Sequence, residues 1–289
     1  MRLLTFRHGG AIRIGALRTD DEVVELAEAA DMLSLIDAGD AGLNHARDAV
    51  ASRSSKTHRL EDVEVLAPLP APRGNVIAIG RNYQAHAEES ARAAGKAVDP
   101  PTVFTKAVTT VAGPYDDVVI DPGVSTQVDW EVELGVVMGR AGRNIARGSA
   151  LQHVFGYIAL NDVSARDIQF GWGGQYFKGK SLDGFCPTGP WIVTRDEIAD
   201  PQSLRLLLRV NGVVKQDANT NDMTYPVEAI IEWVSRGMTI PAGAIIATGT
   251  PDGVGFARTP PEFLEPGDVM ETEVERIGIL RNRIVTATG

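Results

Sequence analysis

From Asn75 onward the chain is written in short apolar or alternating runs separated by Gly, Pro, Asn and Asp, and this punctuation limits the fold more than any other feature. The runs are Val76 to Ile79, Val118 to Ile120, Val128 to Met138, Tyr157 to Leu160, Leu204 to Val210 and Ala244 to Ala247. Runs of this length, bounded by turn formers, specify strands rather than helices. Helical stretches are fewer: Tyr83 to Ala94, closed by Gly95 as a C-cap, and Val227 to Ser235. A β-rich α+β fold follows.

The first 70 or so residues read as a small α/β module, with strands at Leu3 to Phe6 and Ala11 to Leu17 and an alanine-rich helix from about Ala41 to Ser52. The run Ala67-Pro68-Leu69-Pro70-Ala71-Pro72-Arg73-Gly74 carries three prolines, which remove backbone donors and forbid helix. The boundary is therefore expected there, giving a leading module 1–72 and a larger domain 73–289. A chain of 289 residues can bury a sizeable core without staples. Its formal net charge of -10, with no basic patch to override it, disfavours phosphate backbones and anionic lipid surfaces, so neither nucleic acid nor membrane is an expected partner. A single cysteine, Cys186, excludes an internal disulfide and a Cys-cluster zinc site, and its plain reading is a small buried residue. No run approaches the roughly 18 apolar residues of a membrane span, and the first residues lack the apolar core of a secretion signal. A cytoplasmic location is the expectation.

The sharpest local signal for chemistry is Val128-Asp129-Trp130-Glu131-Val132-Glu133-Leu134-Gly135-Val136-Val137-Met138. Read as a strand, it puts Trp130, Val132, Leu134 and Val136 on one face and Asp129, Glu131 and Glu133 on the other. Two glutamates that close repel, so they either face bulk water or share a cation. Asp162 follows the apolar Tyr157-Ile158-Ala159-Leu160 and adds a third carboxylate at a strand end, with Asn161, Ser164 and Arg166 beside it. Three carboxylates with no Cys or paired His nearby form an all-oxygen set that suits Mg²⁺, Mn²⁺ or Ca²⁺ rather than Zn²⁺.

His86 and Glu89 are spaced i, i+3 on the helix that follows Gly80-Arg81-Asn82-Tyr83. They share a face, where the carboxylate can orient the imidazole as a general base, or both can be ordinary surface residues. The glycine-rich stretch from Gly171 to Pro190 reads as a long loop or as backbone that approaches a ligand closely, with Lys180 the favoured contact for an anion or a carbonyl. Ala244-Ile245-Ile246-Ala247-Thr248-Gly249-Thr250-Pro251-Asp252-Gly253-Val254-Gly255 reads as an apolar strand running into a glycine-rich turn, which can be an ordinary turn, and it lacks the Gly-Lys-Ser/Thr of a phosphate loop.

Taken in order, these segments resemble the fumarylacetoacetate hydrolase family, from about Asn75 to Arg283. The residues that carry the resemblance are Gly80-Arg81-Asn82-Tyr83 with His86 and Glu89, Asp129 through Val137, Asn161-Asp162-Val163-Ser164-Ala165-Arg166-Asp167, Lys180-Ser181 with Pro187-Thr188-Gly189-Pro190, and Thr248 through Gly255. The resemblance implies a mixed β-roll of unusual topology, a homodimer, and Mg²⁺ or Mn²⁺ held by Glu131, Glu133 and Asp162. It implies a lid carrying His86 and Glu89, and substrate contacts from Arg81, Tyr83, Gln169, Lys180 and Thr250, the last with a substrate carboxylate.

The reaction it implies is cleavage of a C-C bond in an acylpyruvate or 2,4-diketo acid through a metal-chelated pyruvate enolate. His86 and Glu89 would activate the water and Lys180 would meet the developing charge. Oxaloacetate decarboxylases, isomerases and dehydratases of 2-oxo acids share the family, so membership alone does not select the reaction. A reading of another class is a non-catalytic module in which the carboxylates bind a structural cation.

Overall fold

A computed structural model describes residues 1–287. Its architecture is β-rich with few helices, a mixed α+β fold as the run pattern predicts. The largest sheet runs, neighbour to neighbour, through Thr57–Arg59, Glu22–Glu25, Ala11–Leu17, Arg2–His8, Cys186–Thr194, Val154–Asn161, Val132–Met138, Ile245–Ala247, Val76–Gly80 and Thr102–Lys106, with Glu64–Val65 and Val111–Ala112 attached at its side. Most pairings are antiparallel, but Ile245–Ala247 and Val76–Gly80 run parallel. A five-stranded sheet joins Val213–Asn219, Arg205–Val210, Val269–Val274, Gly278–Thr286 and Val118–Ile120, and packs its apolar side against the first.

Arg2 and Leu3 pair with Val193 and Ile192, so the leading residues extend the main sheet. Leu3, Ile14, Leu35 and Ile36 share one apolar cluster with Val137, Ile158 and Leu160. On the opposite face Val132, Leu134, Val136 and Met138 enter the larger cluster with Trp130, Leu206 and Met270. Val132–Met138 thus has apolar layers on both sides, and every residue in it is buried.

Three local expectations change. The run Val128 to Met138 is not one strand: Val128–Asp129 pairs with Ser164–Ala165, the ladder stops at Trp130 and Glu131, and Val132–Met138 resumes against Val154–Asn161. Side chains replace ladder partners at the break. Asp129 accepts the Trp130 N–H, Asn161 Oδ1 accepts the Glu131 N–H at 3.1 Å, and Gln216 Oε1 accepts the Val132 N–H at 3.0 Å. The glycine-rich stretch is a loop only as far as Phe185, because Cys186–Thr194 is a strand. Its Pro190 falls at a shift of register against Val154–Asn161, where a missing donor breaks no ladder bond. The leading helix is Gly39–Ala51, preceded by a short helix Met32–Asp37 that periodicity did not announce.

The helix beside the expected base spans Gln84–Ala94 and ends on Gly95 in the left-handed region, φ 63, as expected of a glycine C-cap. Val227–Ser235 is helical over the expected residues. Among the described residues no helix is long and apolar enough to cross a membrane.

Candidate metal and acid–base site

The three carboxylates converge. Glu133 projects from Val132–Met138, Glu131 from the break before it, and Asp162 from the end of Val154–Asn161, with the Asp162 N–H donating to the Glu131 carbonyl at 2.9 Å. One carboxylate oxygen from each lies within 4.8 Å of the others. All three side chains are buried, which removes the reading of an acidic face turned to water.

Burial sets their charges against one another. Desolvation, and then the charges of Asp162 and Glu131, push the Glu133 carboxyl well above the usual carboxylate range. Burial alone would raise Glu131 too, but Lys180 and Arg166 overcome it and hold that carboxyl down to about 2.

The counter-ions are specific. Lys180 Nζ lies 2.8 Å from Glu131 Oε2 and 2.8 Å from Asp162 Oδ2. Lys106 Nζ lies 2.5 Å from Asp162 Oδ1 and donates to the Val163 carbonyl. Arg166 Nη1 lies 2.7 Å from Glu131 Oε1 and donates to Gln169 Oε1 at 2.9 Å, and its Nε donates to Asp129 Oδ2 at 2.8 Å. Its Nη2 is buried without a hydrogen-bond partner among the described residues.

With Asp129 included, four buried carboxylates face three buried cations, Lys106, Arg166 and Lys180. When all are ionised one negative charge is in excess. A divalent cation would turn that into one positive charge, which suits an anionic substrate. The donor set is all oxygen, so the residues fit a hard cation such as Mg²⁺, Mn²⁺ or Ca²⁺.

The His86 imidazole is nearly buried, and its Nδ1 lies 3.0 Å from Glu89 Oε1. Glu89 also accepts the Gly253 N–H at 3.1 Å. A carboxylate only accepts, so Nδ1 carries the proton, and in the neutral imidazole Nε2 is the nitrogen with the lone pair. The glycine-rich turn grips the site from the other side. The Gly249 N–H donates to Glu133 Oε2 at 2.7 Å, and Gly249 adopts φ 101 where an added Cβ would sit 2.7 Å from Asn82 Cβ. The Gly255 and Phe256 N–H groups donate to Asp129 at 2.7 and 3.0 Å.

His86, Glu131, Arg166, Gln169, Lys180, Thr250 and Arg81 line one cavity of about 450 Å³. Gln169 gives its oxygen to Arg166, so its NH₂ is the end left to donate inward. Two expected substrate contacts are placed differently. Tyr83 does not line the cavity; its side chain is buried in the main core, and its backbone forms an isolated antiparallel bridge with Met223. The Thr250 hydroxyl donates to the Val132 carbonyl at 2.9 Å and accepts from Gln216, which leaves it no proton for a substrate carboxylate.

Sequence reasoning assigned no role to Lys106, Arg166 or Asp129. A signal for Lys106 existed: in the strand Thr102–Lys106 it shares a face with the buried Phe104 two residues earlier, and a lysine on a buried face needs an anionic partner.

A family model described as fumarylacetoacetate (FAA) hydrolase C-terminal matches residues 75–285, and one described as Rv2993c-like, N-terminal matches residues 1–68. The chain is 43% identical to the human protein named oxaloacetate tautomerase FAHD2A, mitochondrial, across 88% of this chain and 79% of that protein. It is 40% identical to oxaloacetate tautomerase YisK of Bacillus subtilis (strain 168), across 94% of this chain and 95% of that one. Among solved structures it is similar to a fumarylacetoacetate hydrolase from Exiguobacterium antarcticum, with a TM-score of 0.85, 37% identity, and coverage of 99% of this chain and 100% of that one.

Proposed function

The chain belongs to the fumarylacetoacetate hydrolase family, and from that premise we propose a divalent-metal-dependent enzyme that moves a proton on the carbon beside the carbonyl of a small 2-oxo acid. Oxaloacetate is the proposed substrate and keto–enol tautomerisation the proposed reaction, following the names its relatives carry. The observation that carries the reading is that His86, oriented by Glu89, opens on the same cavity as Glu131, Arg166, Gln169 and Lys180.

In this reading Glu131, Glu133 and Asp162 hold the cation, which when bound supplies Lewis acidity to the substrate carbonyl. His86 takes a proton from C3 of the keto acid through Nε2. As that bond breaks, negative charge grows on the C2 oxygen, where Lys180, which lines the cavity, can meet it. The imidazolium then gives its proton to that oxygen, and the enol is complete. Glu89 stabilises the imidazolium while it carries the proton.

Hydrolysis of acylpyruvates is the second reading, and the volume of the cavity favours keeping it, since it exceeds what a four-carbon acid fills. There the same base would deprotonate water for attack on the distal carbonyl, the bond between C3 and that carbonyl would break, and pyruvate and a carboxylic acid would leave. A homodimer and a reducing cytoplasm belong to the same proposal.

The test follows the decay of enol absorbance of oxaloacetate with Mg²⁺ or Mn²⁺, then after chelation and metal return, with pyruvate release from oxaloacetate and from acetylpyruvate measured in parallel. Metal-dependent tautomerisation that outpaces both releases supports the first reading. Acetylpyruvate hydrolysis as the dominant activity replaces it with the second, and no metal-dependent turnover of either acid overturns both.

A further inference from the structure

Arg81 lines the cavity together with Lys96 and Asp99, and the proton transfer does not use it. Arg81 stands where Val76–Gly80 gives way to the helix Gln84–Ala94, with its backbone in the left-handed region at φ 60. That conformation is disfavoured for any side chain with a Cβ and persists where surroundings or function require it. Arginine has no short polar group to offset it through a local hydrogen bond, as asparagine would. The guanidinium it presents to the cavity lies 5.7 Å from the centre of the Tyr176 ring and donates to the Tyr176 hydroxyl.

Among the described residues its only charged partner within 4.0 Å is the carboxylate of Asp99, with Nη2 3.4 Å from Oδ2. The Asp99 side chain is 60% exposed, and a pair so open to water is held weakly. Arg81 therefore offers a planar donor fork already facing a carboxylate, and that carboxylate is readily exchanged for another. The cations of the inner wall, Arg166 and Lys180, are each paired with buried carboxylates at the reacting end of the cavity. Between the walls Ala87, Ala91 and Phe104 line the cavity with apolar surface.

We infer that Arg81 recognises a second carboxylate at the far end of the substrate, so that this site prefers 2-oxo diacids to 2-oxo monoacids. The inference rests on the reading of the site as one that acts on 2-oxo acids, and it adds the residue that selects among them.

The experiment compares oxaloacetate with acetylpyruvate, in which an acetyl group replaces the distal carboxylate, using the metal-loaded wild type, Arg81→Met and Arg81→Lys. The ratio of kcat/KM for oxaloacetate to that for acetylpyruvate falls about 10- to 100-fold in Arg81→Met, the worth of one hydrogen-bonded charge pair, mainly through KM for oxaloacetate. Arg81→Lys gives an intermediate ratio, because it keeps the charge and loses the fork. Oxalate, which offers only the chelating end, still inhibits both variants and so reports an intact inner wall. If oxalate inhibits and the ratio in Arg81→Met equals that of wild type, or both acids lose equally, the role of Arg81 is overturned and the 2-oxo acid reading stands. If the wild type neither binds oxalate nor turns over either acid, that reading fails and this inference with it.

Discussion

Lys106 and Asp162 form an ion pair in which neither side chain has any exposed surface, with Nζ 2.5 Å from Oδ1, while Lys180 holds the other carboxylate oxygen at 2.8 Å. Removing one partner of such a pair leaves a buried charge uncompensated, at a cost of about 3–5 kcal/mol. Lys106→Met should lower the unfolding free energy by that order in urea. Adding Asp162→Asn should recover part of the loss, because it removes the stranded charge. A single variant as stable as wild type would mean that Lys180 alone satisfies Asp162.

Glu133 stands in the opposite position, since burial and the charges of Asp162 and Glu131 all oppose its ionisation. Glu133→Gln keeps the shape and removes the repulsion. In the presence of a chelator its Tm should equal or exceed that of wild type. The rise in Tm that Mg²⁺ or Mn²⁺ gives wild type should shrink, because binding to the folded state stabilises by mass action and one ligand is gone. An undiminished rise would exclude Glu133 as a ligand.

The trio Glu131, Glu133 and Asp162 was legible because period-two alternation and a strand end are local features. Its depth was not, because an acidic face turned to water has the same alternation. What decides between them is the apolar layer on each side, supplied by Val137 and Ile158 on one and Trp130 and Leu206 on the other. The break at Trp130 and Glu131 was hidden for a similar reason: the side chains that replace the ladder, Asn161 and Gln216, lie 30 and 84 residues away in sequence. Lys106 pairs across 56 residues and Arg166 with Asp129 across 37, beyond the reach of any motif spacing. Cys186–Thr194 was obscured by the glycine-rich run that leads into it and by Pro190, which a strand accommodates here only because it falls at a shift of register.

Far from the cavity, Glu25 gathers His58, Lys56 and Arg13 around its carboxylate. Burial would raise its pKa, but the hydrogen bonds from His58 and Lys56 and the nearby positive charges lower it below the usual 4.5. A carboxyl with a depressed folded pKa contributes stability that is fully present above its unfolded value and is lost as pH falls through the folded one. Glu25→Gln should therefore be less stable than wild type at neutral pH. The gap should begin to close as pH drops below about 4.5. Urea midpoints for both proteins near neutrality and in acid check it, and a gap that ignores pH would show that shape rather than charge matters at this position.

The last prediction separates the base from the metal ligands. In the proposed mechanism His86 would reach the substrate through Nε2, because Nδ1 is held by Glu89 and Glu89 is itself held by the Gly253 N–H. Proton abstraction from C3 and activation of water both need this base, whereas loss of CO₂ from oxaloacetate needs only an acceptor for the electrons left behind. His86→Ala should cost tautomerisation or hydrolysis about 10²- to 10⁴-fold, the usual contribution of a positioned general base, while calorimetry shows metal affinity nearly unchanged. Any decarboxylation of oxaloacetate should survive much better. Glu89→Gln keeps a partner for the imidazole and removes the charge that stabilises its protonated form, so its loss should be milder and should fall on kcat more than on KM. It also trades one acceptor oxygen for an NH₂ group opposite the Gly253 N–H, so a shift of the 249–256 turn would betray itself as a change in metal affinity through Gly249 and Glu133. Steady-state kinetics of both variants at saturating Mg²⁺ decide the matter: wild-type tautomerisation and hydrolysis in His86→Ala would return the residue to the role of a packed helix side chain.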